Sequence, residues 1–228
     1  MSLKFDDSIK NKFENFYVGL VILSNIANKS NFSISDLRDS IFNEIKSKYD
    51  LDNLKDEPTF RVNRDFFWKI GIDPTKKRPA SEALIRRLLA DKPIPAINIF
   101  VDLYNLISIK YEIAIAGFDA DKLTGDILMR NSINGEEFKG IGMKKPLILT
   151  GKEIILEDKD IIAIYPYRDA DYSKLMPETK NIILLTCGVP GYPEDKIQAA
   201  TIDLLKTFKK YIGGEGSYKI YSIKNSSS

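Results

Sequence analysis

The chain has 228 residues, with 34 lysines and arginines against 32 aspartates and glutamates, a formal charge of +2, one cysteine and no histidine. Without histidine there is no Ser-His-Asp or Cys-His triad, no HExxH metal site and no imidazole general base. A single cysteine excludes intrachain disulfides and cysteine-rich metal clusters, and the near-neutral balance excludes wholesale coating of a polyanion while leaving room for a local basic patch.

Taken in chain order, Ser8–Asn15 reads as a short helix. Phe16–Leu23 is a continuous apolar run whose length and β-branched and aromatic content indicate a buried strand. Asn31–Ser33 breaks the chain. Ser33 with Asp36 then opens a helix carrying Leu37, Ile41, Ile45 and Tyr49 at helical spacing. After a polar connection, Phe60–Ile70 reads as a helix stopped by Gly71 and Asp73-Pro74. Ser81–Ala90 follows with Ser81 as a natural cap, and Asn98–Ile109 is the third strong helix. From there the character changes. Ile113–Phe118, Asp126–Asn131, Lys152–Leu156, Ile161–Tyr167 and Asn181–Cys187 are short β-type segments between turns. Pro193-Glu194-Asp195 opens a last helix to about Tyr211, Gly213–Gly216 is a loop, Tyr218–Ile223 a final strand and Asn225–Ser228 a frayed tail. Helices early and strands late, without βαβ alternation, indicate an α+β fold, expected as one domain over residues 1–228.

Met1–Lys12 is too charged to hold the apolar stretch of a signal peptide. Phe16–Ile26 is far shorter than the ~20 residues of a membrane span. A cytoplasmic protein without membrane contact is expected.

Three features carry chemistry. The helix Asn98–Ile109 is apolar on nearly every side, yet Asp102, Asn105 and Ser108 recur three apart along one stripe. The stripe reads either as a satisfied structural network or as one wall of a polar pocket. Residues 61–87 carry a surplus of five positive charges, among them Lys76, Lys77, Arg78, Arg86 and Arg87. Such a run is either a solvated surface or a phosphate-binding face. The segment Tyr165–Ser173 packs Arg168, Asp169, Asp171 and three tyrosines behind a buried strand. It is either a site or a surface ion pair. Cys187 ends an apolar strand and reads as a buried structural thiol. No acidic spacing points to a magnesium site, and no cofactor is expected.

A further set of segments lines up in order: Arg78-Pro79-Ala80-Ser81-Glu82-Ala83-Leu84, Val101-Asp102-Leu103-Tyr104-Asn105, Gly117-Phe118-Asp119, Asp126-Ile127-Leu128-Met129-Arg130, Asn134-Gly135-Glu136 and Glu178-Thr179-Lys180-Asn181. Together they resemble the editing domain of the bacterial-type phenylalanyl-tRNA synthetase β subunit, and more closely its free-standing relatives, over about residues 59–187. The resemblance implies a β-sandwich-like mixed sheet core with peripheral helices. It also implies a cleft for the aminoacyl end of tRNA, or an aminoacyl-adenosine-like ligand, where a wrongly attached amino acid is hydrolysed. Ala116 stands where that family carries a site histidine, Asp171 where it carries a glutamate, and Asp169-Ala170 where it carries Gly-Gly. Free-standing relatives often show Arg-Asp, as Arg168-Asp169 does here.

On this reading Asp171 is the catalytic carboxylate, orienting water or the substrate α-amino group. Arg168 holds a phosphate or the terminal ribose, and Asp102, Asn105, Ser108, Asp169 and Thr179 shape the substrate pocket. The basic residues Lys76, Lys77, Arg78, Arg86 and Arg87 contact nucleic acid. An activated ester needs no histidine for hydrolysis if water and the oxyanion are both positioned. Two alternatives remain: a non-catalytic tRNA- or RNA-binding module, and a small-molecule amino-acid-binding protein. Aminoacylation by the chain itself is excluded, since no ATP-binding motif or synthetase core is present.

Overall fold

The computed structural model describes residues 1–26 and 33–225. In chain order its first half contains β1 (Leu3–Phe5), α1 (Asp7–Lys10), β2 (Tyr17–Ser24), α2 (Ser35–Lys48), α3 (Pro58–Lys69), α4 (Ala80–Leu89) and α5 (Ile99–Tyr111). The second half contains β3 (Ala114–Asp119), β4 (Ile127–Asn131), β5 (Glu137–Phe138), β6 (Leu147–Ile148), β7 (Ile154–Glu157), β8 (Ile161–Tyr165), β9 (Arg168–Asp169), β10 (Ile182–Cys187), α6 (Glu194–Tyr211) and β11 (Glu215–Ser222).

Two sheets face each other. One has the order β1-β4-β7-β8-β9 and the other β11-β2-β10-β3, while β5 and β6 form a separate ribbon. All pairings are antiparallel except β1 with β4, so the first sheet is mixed, as expected, and the second is antiparallel. Strand β10 shows why the layers form. Ile183, Leu185 and Cys187 point toward the first sheet and share a core with Ile127, Met129, Ile162 and Ile164. The intervening Ile182 and Leu184 point the other way, onto Phe100, Leu103 and Ile107 of α5 and Leu204 and Phe208 of α6. A central strand buried on both faces reads as an unbroken apolar run, which is what β2 and β10 show. Helices therefore lie outside a two-sheet core, and the α+β architecture holds.

Several boundaries differ from the sequence expectations. Ser81 is not a cap: Pro79 occupies that position, and the buried Ser81 hydroxyl instead donates to the Glu112 carbonyl. Ser33 accepts from the Ser35 amide but lies one residue before the cap position of α2, which Ile34 holds without a side-chain bond. Asn98 does cap α5, its Oδ1 accepting from the amides of Phe100 and Val101. β11 starts at Glu215, so the expected loop shrinks to Gly213 and Gly214, both at positive φ. Most of the expected chain break at Asn31–Ser33 and of the Asn225–Ser228 tail lies outside the described residues.

Two buried charge clusters tie the helices together. Glu82, with no exposed surface, accepts from Arg64 at 2.8 and 2.9 Å and from Arg86 at 2.8 Å. Glu112, in the left-handed conformation at the end of α5, is held by Lys48 and Tyr49 at the end of α2 and by Lys196 of α6. Near the sheets, Phe5, Phe13, Phe16 and Phe66 stack in tilted and edge-on pairs, and Phe16 meets Tyr165 at 5.7 Å. That aromatic cluster fixes the end of β8, where the candidate site begins.

Candidate functional site

Strand β8 ends at Tyr165, and the chain turns through Pro166 and Tyr167 to return as β9, which pairs Ala163 with Asp169 and Ile164 with Arg168. β9 is an edge of the first sheet, and β3 is an edge of the second. The two edges meet where the Gly117 amide donates to Asp169 Oδ2 at 3.2 Å. Between them lies a cavity of about 160 Å³. Its wall includes Tyr104 and Asn105 of α5, Ala114 and Ala116 of β3, Ala163 of β8, the turn Tyr165–Asp169 and Cys187. Four alanines on the wall, Ala80 among them, leave the space that larger side chains would fill.

Asp169 is the carboxylate of this cavity. Burial pushes its pKa up to about 7, against a small opposing pull from the Gly117 amide. Among the described residues it has no ion-pair partner. The neighbouring groups move out of the neutral range. Burial, aided by the charges of Asp169 and Asp102, drives the Tyr104 phenol far up. Burial and Asp169 do the same to the Cys187 thiol, which makes it inert as a nucleophile. Tyr165 is committed to the Gly188 carbonyl at 2.5 Å. Asp169 is thus the wall residue with a resolved pKa near neutrality.

The expected site residues divide. Asn105, Arg168 and Asp169 meet at the cavity. Asp102 faces elsewhere: it accepts from the Ile97 amide at 2.9 Å and lines a shallow pocket with Arg38, Phe42 and Pro95. Ser108 donates to the Ile113 carbonyl at 2.7 Å and closes the end of α5. Thr179 donates to Asp119 Oδ2 at 3.0 Å and accepts from the Met176 amide, bracing a loop. Asp171 is half-buried and pairs with Lys174 at 3.0 Å. Its amide donates to the Lys139 carbonyl, and it does not line the cavity.

The basic run divides too. Arg86 is consumed by Glu82, and Arg87 donates to the Pro93 carbonyl at 2.9 and 3.0 Å. Lys76, Lys77 and Arg78 stay exposed on the loop that leads to Ala80 at the cavity wall.

Residues 62–199 match the family model of the B3/4 domain. The chain belongs to the B3/4 domain family. Over 98 residues it is 29% identical to the phenylalanine–tRNA ligase β subunit of Mycoplasma genitalium, a match covering 43% of this chain and 12% of that protein. Over 88 residues it is 31% identical to the corresponding subunit of Fusobacterium nucleatum, covering 39% of this chain and 11% of that protein. The matched region is thus about a tenth of the length of these curated relatives. A solved N-terminal fragment of the phenylalanyl-tRNA synthetase β subunit from Pyrococcus horikoshii aligns with 94% of this chain and 50% of its own. Its identity is 14% and its TM-score 0.47. The resemblance read in the sequence to the synthetase β subunit is therefore borne out at the level of the family.

In this B3/4 domain the sequence reading missed Tyr104, Tyr167, Ala114 and Ala163 as cavity residues, and named Ala116 only as the position of the family's histidine. Tyr104 sits inside the Val101–Asn105 segment already singled out, one position from Asn105. Tyr167 sits inside the Tyr165–Ser173 segment. Their roles depend on the hairpin between β8 and β9, and a two-residue strand leaves no periodicity to read. Arg168 is positioned by the same hairpin. Its Nη1 donates to the Ile141 carbonyl at 2.8 Å, and its guanidinium stacks on Tyr167 with Cζ 5.2 Å from the ring centroid. Among the described residues no helix is long and apolar enough to cross a membrane.

Proposed function

We propose that this B3/4 domain acts in the cytoplasm on the aminoacylated end of tRNA and hydrolyses the aminoacyl ester, with Asp169 as general base. The observation that carries the reading is a partly enclosed carboxyl, without a cationic partner, that titrates near neutrality in a cavity of side-chain size. A base is most effective when its pKa lies near the working pH. The ionised Asp169 takes a proton from water as the water oxygen bonds to the ester carbonyl carbon. The tetrahedral intermediate then expels the ribose oxygen, which recovers that proton from Asp169. The products are the free amino acid and a tRNA with a free terminal hydroxyl. Asn105 and the neutral Tyr104 phenol line the same wall and offer hydrogen-bond donors to the acyl group. Asp171, held by Lys174, serves at most to brace the hairpin. The relatives' names, ligases of phenylalanine and tRNA, support the substrate class.

The test is deacylation of a panel of mischarged tRNAs by the wild type, Asp169→Asn and Asp171→Ala. Turnover lost in Asp169→Asn and retained in Asp171→Ala is expected. The reverse order returns the catalytic role to Asp171, and no turnover of any tRNA by the wild type removes the hydrolase reading. One observation favours the binding-module alternative, namely Ala116 on the cavity wall where the resemblance calls for histidine. Salt-sensitive tRNA binding without turnover would select it.

A further inference from the structure

The cavity beside Asp169, at about 160 Å³, is smaller than the roughly 300 Å³ at which ligand pockets begin. It has room for an amino-acid side chain but not for a nucleotide. Whatever else a ligand carries must lie outside, and the structure offers one adjoining space. A second cavity, of about 310 Å³, shares Ile164 and Tyr167 with the first. Its other walls come from the loop after α3, including Gly71, Lys76 and Lys77, and from the β6 arm, including Ile148 and Thr150.

Tyr167, on the shared wall, carries two cations. Lys77 Nζ lies 5.1 Å from its ring centroid and Arg168 Cζ 5.2 Å from the same point. Among the described residues neither cation has a carboxylate within ion-pair distance. Several neighbouring cations are ion-paired: Arg64 and Arg86 with Glu82, and Arg130 with Glu136 and Glu157, while Lys76 lies 3.8 Å from Asp73. Stacking on an aromatic ring holds a cation in place without cancelling its charge. The two acids of the second cavity, Asp73 and Glu153, are held by hydroxyls and amides, and neither is ion-paired with Lys77. Asp73 accepts from the amide and hydroxyl of Thr75, and Glu153 from Ser132 and from Thr150. Two cations without an ion-pair partner among the described residues thus converge on one ring at the boundary of two cavities, an arrangement suited to a bridging anion.

We propose that Lys77, Tyr167 and Arg168 form a phosphodiester-binding station, and that the second cavity receives the sugar-phosphate of a single-stranded RNA end whose acyl group reaches the first. The RNA substrate class rests on the function proposed above. The station itself is testable without it. The probe is a short single-stranded RNA oligonucleotide bearing no amino acid, titrated calorimetrically against wild-type protein, Lys77→Gln, Arg168→Gln and the control Lys210→Gln over a series of salt concentrations. Each phosphate contact on a single strand contributes about −0.7 to the slope of log K against log salt. Wild type and Lys210→Gln are expected to give matching slopes, and each of the two station variants a slope shallower by about 0.7 with weaker binding at low salt. Thermal melting confirms folding, and Lys77 is exposed enough that its replacement leaves the core untouched.

Unchanged slope and affinity in Lys77→Gln and Arg168→Gln overturn the station, as does an equal loss in Lys210→Gln or no measurable binding by the wild type. The outcomes separate from those of the hydrolase test. Binding that depends on Lys77 with no deacylation keeps the station and removes the hydrolase. Deacylation with kcat/KM untouched by Lys77→Gln does the opposite.

Discussion

Replacing Asp169 with asparagine tests the central electrostatic claim without any substrate. The amide is the same shape and keeps an oxygen to accept from Gly117, but it cannot ionise. In the folded protein the carboxyl is raised from 3.8 to about 7 by burial, so the native state binds its proton more tightly than the unfolded chain does. The sign follows from linkage. Asp169 imposes no ionisation penalty below about pH 3.8; the wild type then loses stability progressively as pH rises through about 7, and the loss levels off above it. The full difference corresponds to roughly 4 kcal/mol, a large part of the ~5–15 kcal/mol that holds a domain together. Asp169→Asn should therefore match the wild type in urea unfolding near pH 4 and exceed it by up to roughly 4 kcal/mol at pH 8. At about 2–4 °C per kcal/mol for a chain of this size, the melting temperature at pH 8 should rise by ~10 °C. Circular dichroism at a series of pH values reads both quantities. A stability difference between the two proteins that stays constant from pH 5 to pH 8 would refute the raised pKa, and with it the general base.

Three other outcomes follow from the same structure. If Asp169 is the base, single-turnover deacylation should climb with pH to a plateau above about 7, and a flat profile from pH 5.5 to 8.5 would exclude it. Glu82→Gln should cost about 3–5 kcal/mol in chemical denaturation, because it leaves Arg64 and Arg86 without their buried anion. Burial raises the pKa of Glu82, but the bonds from Arg64 and Arg86 outweigh it and leave the group below its usual 4.5, so its contribution is present above that pH and is lost on acidification. A variant as stable as wild type at pH 7 would contradict this. Gly140→Ala should disturb the site while sparing the fold. An added Cβ would stand 2.5 Å from Arg168 Cδ and 2.8 Å from both Arg168 Cγ and Phe138 Cε1, so the Arg168 stem would have to move. Weaker oligonucleotide binding with melting lowered by only a few degrees is expected, and binding equal to wild type would show that Arg168 is not held where its bond to Ile141 puts it.

What could be read from the sequence tracks the range of the interactions. β2, β10 and α5 are predominantly apolar because most of their residues are buried, and that pattern survives without knowing their neighbours. β1 and β9, of three and two residues, exist only because β4 and β8 lie beside them, and nothing local announces them. The site shows the same division. Arg168 and Asp169 were legible as a charged pair behind a buried strand. The pleat alone would put Asp169 and Asp171 on one face, since residues two apart share it; β9 ends at Asp169, whose pairing with Ala163 and bond from the Gly117 amide set it in the cavity, while Asp171 lies past the strand and pairs with Lys174. The stripe Asp102, Asn105 and Ser108 looked uniform at helical spacing. Helix ends consume two of its members, Asp102 at the first turn and Ser108 at the last, and only the middle residue is left for the cavity.

A chain without histidine lacks the side chain that ordinarily titrates near pH 7. The cavity between β3 and β9 supplies that range by another route. Ala114, Ala116 and Ala163 keep the space around Asp169 open, no cation among the described residues pairs with it, and a single backbone amide is too weak a partner to offset the loss of water. An arginine or lysine within bonding distance would return the carboxyl to its ordinary acidic range. The nearest arginine in sequence, Arg168, is instead drawn away by the Ile141 carbonyl and the ring of Tyr167. Turning Arg168 outward therefore accomplishes two things at once: it leaves Asp169 poised near neutrality, and it places a free positive charge at the boundary with the second cavity. The net charge of +2 does not show this placement: within residues 61–87, Arg64 and Arg86 pair with Glu82 and Arg87 turns to the Pro93 carbonyl, while Lys77 stands beside Tyr167.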